Sequence, residues 1–155
     1  MPVRPTGDHV AAWRALLTVH AELTERIDGA LRGAGVIPLR WYDALLCLYE
    51  APGRRLRLAE MATAALLSRS GLSRLVDRLE EAGLLTREAV ADDARGAYAL
   101  LTPEGLQALR RCWRVYGQQI DTLIGRRMST TEARSVAELL RRLLERPDDG
   151  RGRET

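Results

Sequence analysis

Residues 67–85 read Leu67-Ser68-Arg69-Ser70-Gly71-Leu72-Ser73-Arg74-Leu75-Val76-Asp77-Arg78-Leu79-Glu80-Glu81-Ala82-Gly83-Leu84-Leu85, and this stretch decides the fold. Leu72, Leu75, Val76 and Leu79 recur at steps of three and four, which predicts a helix over Ser68–Glu81 with one apolar stripe. Ser68 or Ser70 can cap its start, and Gly83 stands where a left-handed residue closes a helix. Arg69, Ser70, Ser73, Arg74 and Arg78 fall off the stripe. Small serines permit close approach to a partner, and arginine can grip a guanine edge with two hydrogen bonds or clamp a phosphate.

Working outward, Arg57–Ala65 reads as a short helix with Leu58, Met61 and Ala62 turned inward. Downstream come two short strands, Leu84–Val90 and Tyr98–Leu101, joined by the polar, glycine-containing loop Ala91–Ala97. A short helix, a tight turn, an amphipathic helix and a hairpin make a winged helix-turn-helix from about Arg55 to Leu101. A major groove about 12 Å wide admits one helix, held by a second helix crossing behind it. Arg95 at the hairpin tip suits the minor groove or the phosphate backbone. Asp92 and Asp93 would repel phosphate, so they read as holding arginines in place, and Asp77 could do the same.

The flanks are helical. From Asp8 to Arg32 the positions Trp13, Leu16, His20, Leu23, Ile27 and Ala30 alternate threes and fours, a rhythm that fits packing along another helix; Gly33 and Gly35 end it. Pro38 opens a second helix through Glu50, with Trp41, Leu45, Leu46, Leu48 and Tyr49 expected largely buried, and Ala51-Pro52-Gly53 stops it. Thr102-Pro103-Glu104 opens a long fifth helix carrying Leu106, Leu109, Trp113, Tyr116, Ile120 and Leu123. Ser129-Thr130-Thr131-Glu132 is a capping box before a last helix with Val136, Leu139, Leu140, Leu143 and Leu144 on one face. The fold class is therefore mainly α with a small β-hairpin wing, a winged helix-turn-helix whose N- and C-terminal helices form a dimerisation domain. The expected division is 1–36 with 103–146 for dimerisation, 37–102 for DNA, and 147–155 as a flexible tail.

Composition narrows the function classes. The net charge is +3, and every one of the 24 basic side chains is arginine, in a chain with no lysine, asparagine or phenylalanine. Arginine richness is then a habit of the whole sequence, and each arginine needs a positional argument. Two histidines and two scattered cysteines, Cys47 and Cys112, without a CxxC spacing, exclude a disulfide framework and an ordinary structural zinc site. Both thiols read as buried and inert. No metal or cofactor is expected. No glycine-rich phosphate loop, nucleophile elbow or paired His-carboxylate motif supports an enzyme. There is no long apolar run for a membrane span and no signal-peptide core in the first residues, so no membrane partner and a cytoplasmic location are expected.

The stretch Leu67–Leu85, together with Asp93-Ala94-Arg95-Gly96-Ala97-Tyr98-Ala99-Leu100-Leu101-Thr102-Pro103-Glu104-Gly105, closely resembles the MarR family of bacterial regulators. The two segments are similar to that family's recognition helix, its D-x-R-G wing and its L-T-x-x-G entry to the fifth helix. The resemblance implies a homodimeric transcriptional regulator, a repressor by the family's commoner mode, on pseudo-palindromic double-stranded DNA. On the residues here, Ser70, Ser73 and Arg74 would approach bases, while Arg69, Arg78 and Arg95 would meet phosphates or the minor groove, with Ser68 at the helix start. It also implies a small aromatic or anionic effector between the dimer helices and the DNA module. Trp13, His20, Trp41, Tyr42, Trp113 and Tyr116 are the residues that could line such a site. The alternative is a winged-helix module that binds protein instead of DNA, for which charge reversal at Arg74 and Arg95 would leave function intact.

Overall fold

The computed structural model describes residues 4–64, 69–90 and 93–145, with the side chains of 64, 69, 70, 90 and 93–95 outside that description. The chain divides into two compact units, Met1–Gly117 and Gln118–Thr155. In the first unit lie α1 (Gly7–Gly33), α2 (Leu39–Glu50), β1 (Arg55–Arg57), α3 (Leu58–Ala64), α4 (Arg69–Glu81), β2 (Leu85–Val90), β3 (Asp93–Leu101) and most of α5 (Pro103–Ile120). The second holds the last turn of α5, a π-type turn at Asp121–Gly125 and α6 (Thr130–Leu144). Among the described residues no helix is long and apolar enough to cross a membrane.

The first unit's core follows from the apolar stripes. Ile27 and Leu31 of α1, Tyr42, Ala44, Leu45 and Leu48 of α2, Met61 of α3, Leu72, Val76 and Leu79 of α4, and Leu85 and Ala99 of the sheet are all buried. Leu109 and Cys112 of α5 close it. Tyr49, expected inside with them, is 47% exposed, and the Arg54 guanidinium lies over its ring at 5.4 Å. Trp41 and Leu46 are half-buried. The apolar run of α2 wraps further round the helix than one core face requires, so its outer members stay at the surface.

Helix ends obey local chemistry. Thr6 caps α1 reciprocally with His9: the His9 amide donates to Thr6 Oγ1 and the Thr6 amide donates to His9 Nδ1. Gly83, at φ +72°, closes α4, with the Leu84 amide donating back to the Leu79 carbonyl at 2.9 Å. Thr102 Oγ1 accepts from the Gly105 amide at 3.0 Å and donates to the Gly83 carbonyl at 2.7 Å, so one hydroxyl ties the start of α5 to the end of α4. The α6 capping box forms as read, the Glu132 amide donating to Ser129 Oγ and the Ser129 amide to Glu132 Oε2. Hydrogen bonds from the Ser129 amide and hydroxyl to that carboxylate hold the Glu132 acid below its ordinary range.

The strands depart most from expectation. Among the described residues the sheet has three antiparallel strands in the order β1-β3-β2, whereas the sequence predicts only the hairpin. Arg57, expected to begin α3, instead ends β1 and pairs with Tyr98. Three residues are too few to display an alternation, and their partner lies some forty positions away. β3 is also longer, beginning at Asp93 rather than Tyr98, so Asp93–Ala97 is strand and not loop. Ala, Arg and Gly have weak strand preference; pairing to β2, with a register shift between Ala89 and Val90, makes the extended conformation here. The expected cap Ser68, the end of the third helix at Ala65, Asp92 and the tail 147–155 lie outside the described residues.

Candidate nucleic-acid interface

The α4 stripe works as read. Leu72, Val76 and Leu79 are buried and Leu75 is half-buried, which leaves Ser73, Arg74, Asp77 and Arg78 exposed on the opposite side. Arg69 and Ser70 form the first turn of α4, and Arg95 lies within β3; their side chains are outside the described set, as is Ser68 altogether. Among the described residues neither Arg74 nor Arg78 has an ion-pair partner. An exposed guanidinium held by no carboxylate is available to a phosphate or a base edge.

Sequence reasoning missed the residue that joins helix to wing. Arg87 on β2 reaches α4, where its Nη1 donates to Asp77 Oδ1 at 2.8 Å and its Nε to Glu80 Oε2 at 2.7 Å. Its own amide donates to the other Glu80 oxygen at 3.1 Å. The Glu80 hydrogen bond, with Asp77 adding to it, raises the guanidinium's already high pKa. Asp77 does hold an arginine, as its position suggested, but that arginine comes from the sheet. The one signal available in sequence is the alternation of β2, which puts Leu85, Arg87 and Ala89 on the helix-facing side.

The opposite face of the sheet carries a second cluster not foreseen. The Arg55 guanidinium lies 4.0 Å from the centroid of the Tyr98 ring and that of Arg57 at 5.5 Å; Arg57 Nε donates to the Tyr98 hydroxyl at 3.3 Å. That hydrogen bond favours the phenolate and lowers the Tyr98 pKa. These contacts hold β1 to the root of the wing.

Of the six residues that could line an effector site, the structure brings three together. Tyr116 meets Tyr42 edge-on at 5.1 Å and Trp113 at 5.9 Å between ring centroids. Tyr42, Tyr49 and Trp113 line an open groove of about 660 Å³ between α2 and α5, together with Leu46 and Leu109 and with the charged Glu50, Arg110 and Arg114. Trp13 and His20 sit exposed on α1, and Trp41 is half-buried outside the groove's lining. Burial pushes the Tyr42 hydroxyl up to about 12, with Cys112, Tyr116 and acidic neighbours adding to the shift. Cys112 is buried, its thiol set toward the Ile37 carbonyl at 3.7 Å and pushed up to about 11 by burial and by Asp43. Cys47 is half-buried and is raised mainly by burial. Raised thiols are poor nucleophiles at neutral pH, in keeping with an inert role.

Comparison with known proteins gives a consistent result. The MarR family model matches residues 35–96. Sco3205 of Streptomyces coelicolor, a MarR family transcriptional regulator solved in complex with DNA, is 31% identical and superposes with a TM-score of 0.84, covering 98% of this chain and 97% of that one. AbsC, a MarR family transcriptional regulator from the same organism, is 28% identical with a TM-score of 0.81 over 92% of this chain and 96% of its own. A Thauera aromatica protein proposed as a transcriptional regulator of the hcr operon is 33% identical over 102 residues, which span 66% of this chain and 60% of that relative.

Proposed function

The chain belongs to the MarR family of DNA-binding transcriptional regulators, and from that premise we propose that it acts as a homodimeric repressor on a pseudo-palindromic operator. The observation that carries this reading is the exposed Ser73-Arg74-Arg78 face of α4, backed by a buried leucine stripe and bolted to the wing through Arg87. A helix of this kind fits the major groove, with Ser70, Ser73 and Arg74 toward bases and Arg69, Arg78 and Arg95 toward phosphates or the minor groove, Ser68 opening the helix.

Self-association is supported by apolar surface that the single chain leaves uncovered. On α1, Val10, Trp13 and Leu17 are 39%, 59% and 48% exposed. On α6, Leu139, Leu143 and Leu144 are 52%, 69% and 85% exposed. Isolated surface leucines are ordinary, but stripes of this kind along helices mark an interface. In this reading residues 1–36 and 103–146 make the dimerisation region, and 37–102 meet DNA. A two-fold dimer sets the reading helices about one DNA turn apart, roughly 34 Å. The α2–α5 groove, aromatic and carrying Arg110 and Arg114 against the carboxylate of Glu50, suits a small aromatic anion, and such an effector would release the operator by favouring another spacing of the helices.

The test is a mobility shift on the DNA upstream of the protein's own gene, repeated across salt. Retardation competed only by specific DNA, and weakening steeply with salt, is expected. Absence of binding to any promoter fragment at low salt would refute the reading.

A further inference from the structure

The α4 helix presents a puzzle of charge. Its arginines Arg69, Arg74 and Arg78 are matched one for one by Asp77, Glu80 and Glu81. A helix without net charge is a poor partner for a polyanion. The position of Asp77 aggravates this. It lies three residues after Arg74 and next to Arg78, and residues three apart on a helix surface are close enough to pair. An Asp77 carboxylate turned toward Arg74 would occupy the guanidinium that the DNA needs.

The structure turns Asp77 elsewhere. Its carboxylate accepts from Arg87 Nη1 at 2.8 Å, and Glu80 accepts from both the Arg87 side chain and its amide. Arg87 stands on β2, off the helix, and its carbon stem comes from the helix-facing side of the sheet. One guanidinium thus draws two carboxylates of α4 toward the wing while Arg74 and Arg78 have no carboxylate partner among the described residues.

We propose that Arg87 is a positioning residue for DNA recognition: by capturing Asp77 and Glu80 it neutralises them and keeps Arg74 and Arg78 available to the duplex. This rests on the reading that α4 contacts DNA. Arg87 acts through the two carboxylates and touches no DNA atom itself. The device is economical in sequence, because a single arginine outside the reading helix sets the effective charge of its exposed face.

The experiment compares four proteins by fluorescence anisotropy on a labelled duplex carrying the upstream segment retarded in the mobility shift, at several salt concentrations, with thermal melting of each. They are the unaltered chain, Arg87→Gln, the neutral triple Asp77→Asn/Glu80→Gln/Arg87→Gln, and Arg74→Ala. Arg87→Gln is expected to weaken binding about three- to tenfold at low salt, and to make the salt dependence shallower by about one phosphate contact. The triple, which removes the carboxylates along with their partner, is expected to return to within about twofold of the unaltered chain. That rescue cannot come from a merely structural clamp, since the triple has no ion pair left. Unaltered affinity in Arg87→Gln would overturn the inference. So would a triple as weak as Arg87→Gln with an unchanged melting temperature, since Arg87 would then contact DNA directly. Arg74→Ala separates the two levels: if it binds as well as the unaltered chain, the α4 reading fails and the inference falls with it. If it weakens binding while Arg87→Gln does not, only the inference fails.

Discussion

Gly105→Ala isolates the joint on which the wing and α5 both depend. The substitution adds a single methyl group at the first turn of α5, where a Cβ would fall on the Leu84 carbonyl oxygen and sit 2.8 Å from Leu101 Cδ1. The carbonyl is backbone and already accepts from the Thr102 amide at 3.3 Å, so it cannot swing aside without breaking that bond. Relief must come from lifting α5 off the Gly83–Leu85 corner, which strains both Thr102 hydrogen bonds at once. Overpacking of this kind costs about 1–3 kcal/mol, and a strained pair of hydrogen bonds about 1–2 kcal/mol more. Against this stands a helix-propensity gain of about 1 kcal/mol for alanine over glycine. The net loss is about 1–4 kcal/mol, which for a chain of this length lowers the melting temperature by roughly 2–16 °C. Thermal unfolding followed by circular dichroism, at matched protein concentration, measures it. An unchanged or higher melting temperature would refute the steric argument, because propensity alone would then decide the outcome.

Three further outcomes are expected. Leu139→Asp should shift the chain toward monomer in sedimentation velocity with its helical content retained, as expected if the α6 leucine stripe is an interface; a dimer as tight as before would remove α6 from it. Stability should fall between about pH 9 and pH 11: the unfolded chain releases the Cys112 proton near its ordinary pKa, whereas the native thiol holds it to about 11. The Cys112 share of the loss is on the order of 3 kcal/mol, so Cys112→Ala should lose less stability over that window by urea unfolding, while the raised Cys47 and Tyr42 keep their own share. Benzoate should quench Trp113 fluorescence, and Arg110→Ala together with Arg114→Ala should weaken that quenching about tenfold; equal quenching in the double variant would deny the groove its anion preference.

The residues explain why some of this was legible in the linear sequence and some was not. A helix advertises itself through neighbours three and four apart, so Leu72, Val76 and Leu79 named the α4 stripe, and Gly83, Thr102 and Glu132 marked ends whose chemistry is local. β1 carries no such signature. Arg55–Arg57 is a strand because β3 lies beside it, and that partner is fixed only when the chain has folded. The same holds for the site. The exposed arginines of α4 follow from periodicity, but Arg87 spans seven and ten positions to Glu80 and Asp77, and its role depends on how the sheet packs on the helix. Aromatic residues gave an ambiguous signal, since Tyr42, Trp113 and Tyr116 meet while Trp13 stays exposed.

Arg74→Ala tests the central claim most directly. On the upstream duplex retarded in the mobility shift the variant is expected to lose about 1–3 kcal/mol of binding and to discriminate less among single base-pair changes at the position it reads, while Arg78→Ala weakens all duplexes alike. Equal affinity and equal base preference in Arg74→Ala and the unaltered chain would contradict it, since the exposed face of α4 could then not be the surface that reads DNA.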